Sequence, residues 1–313
     1  MSSPQNIIVW TLTRTGSTAF QQLLARALYE THGPVVKNMQ EATGIGGIMH
    51  ASSVAMHMRT KIDFGSAIDP TLVPNEIKQL GYTNWFVDNS NHLKLREVYG
   101  NPVDEVHNRL DLIKGGDWSN HVVFKNMRWT LESTHIQELN MLFEDAMINS
   151  QQSFHHVVLW RKNILDMVAS RVAMKYTGLA HGVYGFDGKP FEAYRVAYKE
   201  FGQGYQDTVA EFIRMLPLLD QQRTVMVETE QINSLEKIEW NDGTVLSMPD
   251  RANIVNKDVG VNRYVHKHTK EEIRPIDMLG IATKEIAFNL ASTMQQKYDW
   301  VNLGTKFGFK SYH

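Results

Sequence analysis

Arg14-Thr15-Gly16-Ser17-Thr18 stands between an apolar run, Ile7-Ile8-Val9-Trp10, and an amphipathic segment from Ala19 to about Tyr29. A short β-rich run, a hydroxyl-rich turn with one cation and one glycine, and a helix start describe a phosphate cradle. The first N–H groups of a helix have no intrahelical partner and sit at the positive end of its dipole, so they point donors at an anion. Gly16 lets the backbone come close, Ser17 and Thr18 can cap the helix and offer hydroxyls to phosphate oxygens, and Arg14 adds charge-assisted hydrogen bonds. The spacing and the lysine of a Walker loop are missing. An ordinary strand-to-helix turn capped by Ser17 or Thr18 is the plain alternative.

A second constellation follows a second apolar run. His155-His156-Val157-Val158-Leu159-Trp160 reads as a buried strand and leads into Arg161-Lys162-Asn163-Ile164-Leu165-Asp166, with Ser170 farther along the same helical pattern. Cations in a helix's first turn oppose its dipole unless an anion is present, so Arg161 and Lys162 favour a bound anion over the alternative of a surface helix that happens to carry them. A third run, His121-Val122-Val123-Phe124-Lys125, places Lys125 at a strand end, which suits the ligand crevice of an open α/β sheet. A solvent-facing lysine is the alternative there.

The elements that must position these residues read as α/β. Strands are expected at Ile7 to Leu12, Trp85 to Asp88, Val122 to Lys125, His156 to Trp160 and Thr224 to Glu228, each short and rich in β-branched or aromatic residues. Helices are expected at Leu131 to Ile148, Asn163 to Tyr176, Pro190 to Met215 and Lys270 to Tyr298, the last broken near Pro275. Strands that alternate with helices argue for parallel pairing through helical crossovers. Residues 33–81, with Gly44, Gly46, Gly47 and a Met/His-rich stretch, read as a lid or irregular insertion within one domain spanning 1–313.

Composition bounds the rest. The chain of 313 residues is 42% hydrophobic and 21% charged, an ordinary globular balance. With no cysteine it has no disulfide, thiolate metal site or cysteine nucleophile. A net charge of -2 supplies no broad basic field for nucleic acid. His266 and His268 lack a nearby third ligand, so no metal is expected. The start, Met1 to Asn6, has no basic n-region, and no stretch approaches the ~20 apolar residues of a membrane span. A cytoplasmic protein is the expectation.

Thr13-Arg14-Thr15-Gly16-Ser17-Thr18 resembles the 5′-phosphosulfate loop of sulfotransferases that use 3′-phosphoadenosine-5′-phosphosulfate (PAPS), whose bacterial members often carry Arg-Ser-Gly-Ser-Thr. The family's 3′-phosphate motif is a strand followed by Arg-[Asn/Asp]-Pro-x-[Asp/Glu]-x-x-x-Ser. With Lys162 on the family arginine, Asn163, Asp166 and Ser170 fall on their expected positions, while Ile164 replaces the proline. The resemblance implies Arg14, Thr15, Gly16, Ser17 and Thr18 at the 5′ end and Arg161, Lys162 and Ser170 at the 3′-phosphate. Lys125 matches a family lysine near the transferring group, whereas Met127 stands where a histidine base would be. Glu41 stands at a distance similar to the glutamate base of the bacterial trehalose sulfotransferase type.

The implied fold is a central parallel β-sheet flanked by helices, the P-loop-NTPase-like sulfotransferase fold with helical insertions. The implied reaction moves a sulfuryl group from PAPS to a hydroxyl or amine of a carbohydrate or small molecule, with Arg14, Lys125 and Glu41 as catalytic residues. A P-loop-class nucleotide or sugar kinase and a non-catalytic nucleotide-binding protein are the alternatives.

Overall fold

The computed structural model describes residues 6–12, 15–33, 36–41, 121–128, 145, 148–149, 154–177, 184–192, 195–249 and 264–312. The strands are β1 (Ile7–Leu12), β2 (Val36–Glu41), β3 (His121–Arg128), β4 (His155–Trp160), β5 (Tyr184–Phe186), β6 (Thr224–Glu228), β7 (Lys237–Glu239), β8 (Val245–Ser247), β9 (Tyr264–His266) and β10 (Lys310–Tyr312). The helices are α1 (Ser17–His32), α2 (Ile164–Thr177), α3 (Arg195–Met215), α4 (Ile281–Tyr298) and the short α5 (Leu303–Lys306).

Six of these strands form one sheet in the order β10-β6-β4-β1-β3-β2, and every pairing in it is parallel. Parallel strands need crossovers, and crossovers cover both faces, so the central strands carry continuous rather than alternating apolar runs. Every residue of β1, β4 and β6 is accordingly buried.

The two faces have separate cores. Ile7, Val9, Val157, Leu159, Val225 and Val227 pack with α1, through Phe20, Leu24 and Leu28, and with Ile238, Trp240 and Leu246 of the β7-β8 hairpin. Ile8, Trp10, Leu12, Val158, Trp160 and Met226 pack with α2, α3 and α4 on the other face. The period-2 alternation of each strand produces this division.

Chain direction then locates the crevice. The crossover after β1 leads toward β2, and the crossover after β4 leads away from it to β6. α1 and α2 therefore leave neighbouring strands onto opposite faces, and the carboxyl ends of β1 and β4 flank the topological switch point where open α/β sheets bind ligands. Met127, Thr11, Leu159 and Val227 form one row across β3, β1, β4 and β6, so the loops after these strands emerge at one edge.

Several expectations change in detail. β3 runs to Arg128, three residues past Lys125, because its register follows β1 to Leu12↔Arg128. Residues 36–41, within the expected lid, are the edge strand β2 of the main sheet. α3 begins at Arg195 rather than Pro190, since Lys189 to Glu192 are non-helical and Phe191 instead bridges Leu279. The expected helix from Lys270 is a 3₁₀ turn, Pro275–Met278, followed by α4, because Pro275 opens a new turn instead of continuing one. The expected strand from Trp85 and nearly all of the expected helix from Leu131 lie outside the described residues.

Candidate functional site

The turn after β1 is built from within. Thr11 and Thr15 hydrogen-bond to each other through their hydroxyls, and each hydroxyl also lies 3.0 Å from the carbonyl oxygen of Leu12. Thr15 is wholly buried, so its hydroxyl closes the turn instead of facing outward. Gly16 caps α1 in the left-handed region, at φ 73 and ψ 16, a conformation that a Cβ disfavours. The sequence points to Ser17 or Thr18 as the cap, but the left-handed glycine takes that position and no side chain hydrogen-bonds there. The carbonyl of Gly16 accepts the first helical bond, from Phe20 N–H at 3.1 Å. The amides of Ser17, Thr18 and Ala19 thus stand at the open end of the helix. The first turn of α1 holds no acidic residue. Arg14 lies outside the described residues.

The start of α2 is different. Asn163 Nδ2 donates to Asp166 Oδ2 at 3.0 Å, and Asp166 N–H donates to Asn163 Oδ1 at 3.1 Å, so the Asn163 side chain caps the helix and is held in turn by Asp166. Glu230 presents its carboxylate to the same end: Oε2 accepts from Lys162 N–H and Oε1 from Asn163 N–H, both at 3.2 Å. Arg161 lies 3.6 Å from Asp166 and 4.0 Å from Glu230, and Lys162 Nζ lies 3.5 Å from Glu228. Two cations at a helix start suggest an external anion. The compensating anions are in the chain itself: Asp166, Glu228 and Glu230.

The C-terminal end of β6 joins the two loops. Glu228, the last residue of β6, is 2% exposed and pairs with Trp160 in register. The next residue, Thr229, donates from one hydroxyl oxygen toward Thr15 O at 2.8 Å and Trp160 O at 3.0 Å. A Cβ on Gly16 would lie 3.5 Å from Thr229 Cγ2. On the far side, Trp300 Nε1 donates to Arg161 O at 2.8 Å, and its ring packs 5.8 Å from that of Trp160. Sequence reasoning found the strand ending at Glu228 but not Glu228, Thr229 or Glu230. The rule that nominated Lys125, a polar residue at the carboxyl end of a parallel strand, also nominates these three.

The remaining candidates are placed as follows. Ser17 is buried at the first position of α1, and Thr18 follows it. Ser170, 3% exposed, lies within α2 on the turn after Asp166. Lys125 is level with Val9, inside the sheet rather than at its edge. Glu41 ends β2 and pairs in register with Lys125, so two of the proposed catalytic residues are neighbours across adjacent strands. β2 is two strands from β1, about 10 Å at ordinary strand spacing.

Another polar cluster lies at the opposite end of the sheet. His155 Nε2 and Asp242 Oδ2 are 3.0 Å apart, Arg223 Nε is 3.7 Å from the same carboxylate, and the His155 ring meets Trp240 edge-on at 4.9 Å. Burial holds the His155 imidazole below its ordinary pKa, against the opposing pull of Asp242. Its position at the start of β4 separates it from the crevice.

Among the described residues no group of three or more His, Asp or Glu is arranged to hold a metal ion. Nor is any helix among them long and apolar enough to cross a membrane. No protein-family model, curated protein or solved structure matches the chain.

Proposed function

We propose that the protein is a PAPS-dependent sulfotransferase. The observation that carries this reading is the meeting of two independently recognised motifs at one topological switch point: the loop after β1, ending in the left-handed Gly16, and the loop after β4, with Arg161, Lys162 and Asn163. The contrast between their helices adds support. α2 brings its own carboxylates, Asp166 and Glu230, to its start, so the support comes from α1, which has no acidic residue in its first turn and suits an anion from outside.

In this reading the amides at the start of α1 hold the 5′-phosphosulfate, with Arg14, Ser17 and Thr18. Arg161, Lys162 and Ser170 face the 3′-phosphate. The acceptor oxygen or nitrogen bonds to sulfur as the bond from sulfur to the phosphate oxygen breaks, which leaves adenosine 3′,5′-bisphosphate. Arg14 and Lys125 offset the charge that grows on the departing and sulfuryl oxygens, and Glu41 takes the acceptor proton. Positioning and charge stabilisation supply most of the rate in transfers of this kind.

Thermal unfolding with two nucleotides tests the reading. Adenosine 3′,5′-bisphosphate should raise the melting temperature well beyond adenosine 5′-phosphate, because affinity for the folded state becomes stability. Equal shifts would remove the 3′-phosphate site and leave a one-phosphate ligand on α1. Transfer of radiolabelled sulfuryl from PAPS to carbohydrate and small-molecule acceptors separates an enzyme from a binding protein.

A further inference from the structure

The loops after β1 and β4 leave neighbouring strands, whose pairing runs to Thr11↔Leu159, and then part toward different faces of the sheet. The turn after β6, Thr229–Gln231, touches both. Thr229 Oγ1 reaches the carbonyl of Thr15 at 2.8 Å and that of Trp160 at 3.0 Å, residues 214 and 69 positions away. Glu230, next in the chain, accepts from the two consecutive amides that open α2. One hydroxyl thus lies within hydrogen-bond distance of a carbonyl from each loop, so the same side chain ties both loops to the end of β6. The Thr229 methyl also faces Gly16, whose left-handed conformation aims the first amides of α1.

We propose that Thr229 and Glu230 are positioning residues, a clamp that fixes the two anion-binding loops at the separation required by a ligand with two anionic groups. The part that concerns a two-anion ligand rests on the sulfotransferase reading; the part that concerns loop placement does not. Thr229 sets the span, since it contacts both loops. Glu230 holds the second loop and offsets the charge of Arg161. Neither residue touches the reacting atoms in this account. A removed clamp leaves each cradle able to hold one anion while the pair loses its spacing.

The test uses the full chain with Thr229→Val, which keeps the shape and removes the hydroxyl, Thr229→Ser, which restores it, and the half-exposed Glu230→Gln. Amide hydrogen exchange without ligand is the first measurement. Thr229→Val should speed exchange about tenfold both at Phe20, whose amide bonds to Gly16, and at Lys162 to Ile164, a hydrogen bond's usual net worth, with β4 and β6 unchanged. Thr229→Ser should match the wild type, and Glu230→Gln should loosen only the second segment. The second measurement is calorimetric binding. Thr229→Val should weaken adenosine 3′,5′-bisphosphate about tenfold and inorganic sulfate less than twofold. Unchanged exchange at both segments in Thr229→Val overturns the clamp, as does faster exchange throughout the sheet. Tighter bisphosphate binding by Glu230→Gln also overturns it, because Glu230 would then be competing with the ligand. If the wild type binds no bisphosphate, the nucleotide reading falls and the exchange data alone decide on the clamp.

Discussion

The Asn163 side chain caps the start of α2 and is held in turn by Asp166, with side chain to side chain at 3.0 Å and backbone to side chain at 3.1 Å. These two residues carry the spacing that aligned the stretch with the 3′-phosphate motif, and their hydrogen bonds are internal. Their spacing therefore reports how the helix begins, and any ligand-directed part of the motif falls to Arg161, Lys162 and Ser170.

Asn163→Ala and Asp166→Ala should each lower stability by about 1 kcal/mol, the usual worth of an N-terminal cap. The double variant should lose less than the sum, because the second substitution removes a bond already broken. Urea unfolding of the three variants measures this, and full additivity would mean that the two residues act separately.

Gly16→Ala should cost about 1–2 kcal/mol, since φ 73 lies in the left-handed region. Space is not the obstacle, because the nearest atom to the new Cβ would be Thr229 Cγ2 at 3.5 Å. A wild-type melting temperature for Gly16→Ala would show that the turn adopts another conformation in solution.

The His155 cluster makes a pH prediction. Burial lowers the pKa of the folded imidazole from its ordinary 6.5, with Asp242 pulling the other way and Arg223 adding to the decrease. The folded state thus binds a proton less readily than the unfolded state. The contribution of His155 is complete above pH 6.5 and is lost as pH falls from there toward the lowered folded value. Asp242 acts at lower pH. Burial raises its pKa, but the Thr244 amide at 2.9 Å and the His155 contact outweigh that and bring it below 3.8. His155→Gln should flatten stability as pH falls below 6.5 while leaving nucleotide binding intact, as its site is at the far end of β4. Unfolding curves across that range decide it.

Legibility in the sequence followed local signal. β1 and β6 are read to the residue because strands buried on both faces show unbroken apolar runs. β2, Val-Lys-Asn-Met-Gln-Glu, gives no such signal, since an edge strand pairs on one side only and tolerates polar residues. Gly16 was legible as a close-approach residue but not as the cap, because a left-handed cap depends on the backbone and not on a hydroxyl. The carboxylates at the second loop were illegible for a different reason. Glu230 reaches Asn163 across 67 residues, and no local pattern announces a contact of that range.

The same carboxylates change what removal of Lys162 would show. Lys162 Nζ lies 3.5 Å from Glu228, whose side chain is 2% exposed, while the lysine itself is 48% exposed. Lys162→Ala takes one cation away from a buried carboxylate, so it should destabilise the fold even without a ligand. Loss of one partner of a fully buried pair costs about 3–5 kcal/mol, and the exposure of the lysine reduces this to about 1–2 kcal/mol. A drop in affinity would then mix a lost phosphate contact with a loosened strand end. Lys162→Ala combined with Glu228→Gln should recover most of the stability, because the neutral amide tolerates burial better than a charge that has lost a nearby cation. If Lys162 binds the 3′-phosphate, the double variant should stay weak for adenosine 3′,5′-bisphosphate and normal for adenosine 5′-phosphate. Ser170→Ala should show the same selectivity at about 1.5–3 kcal/mol, the worth of a hydrogen bond to a charged group. Recovery of bisphosphate affinity together with stability in the double variant would assign Lys162 to the strand end and leave Arg161 as the phosphate cation.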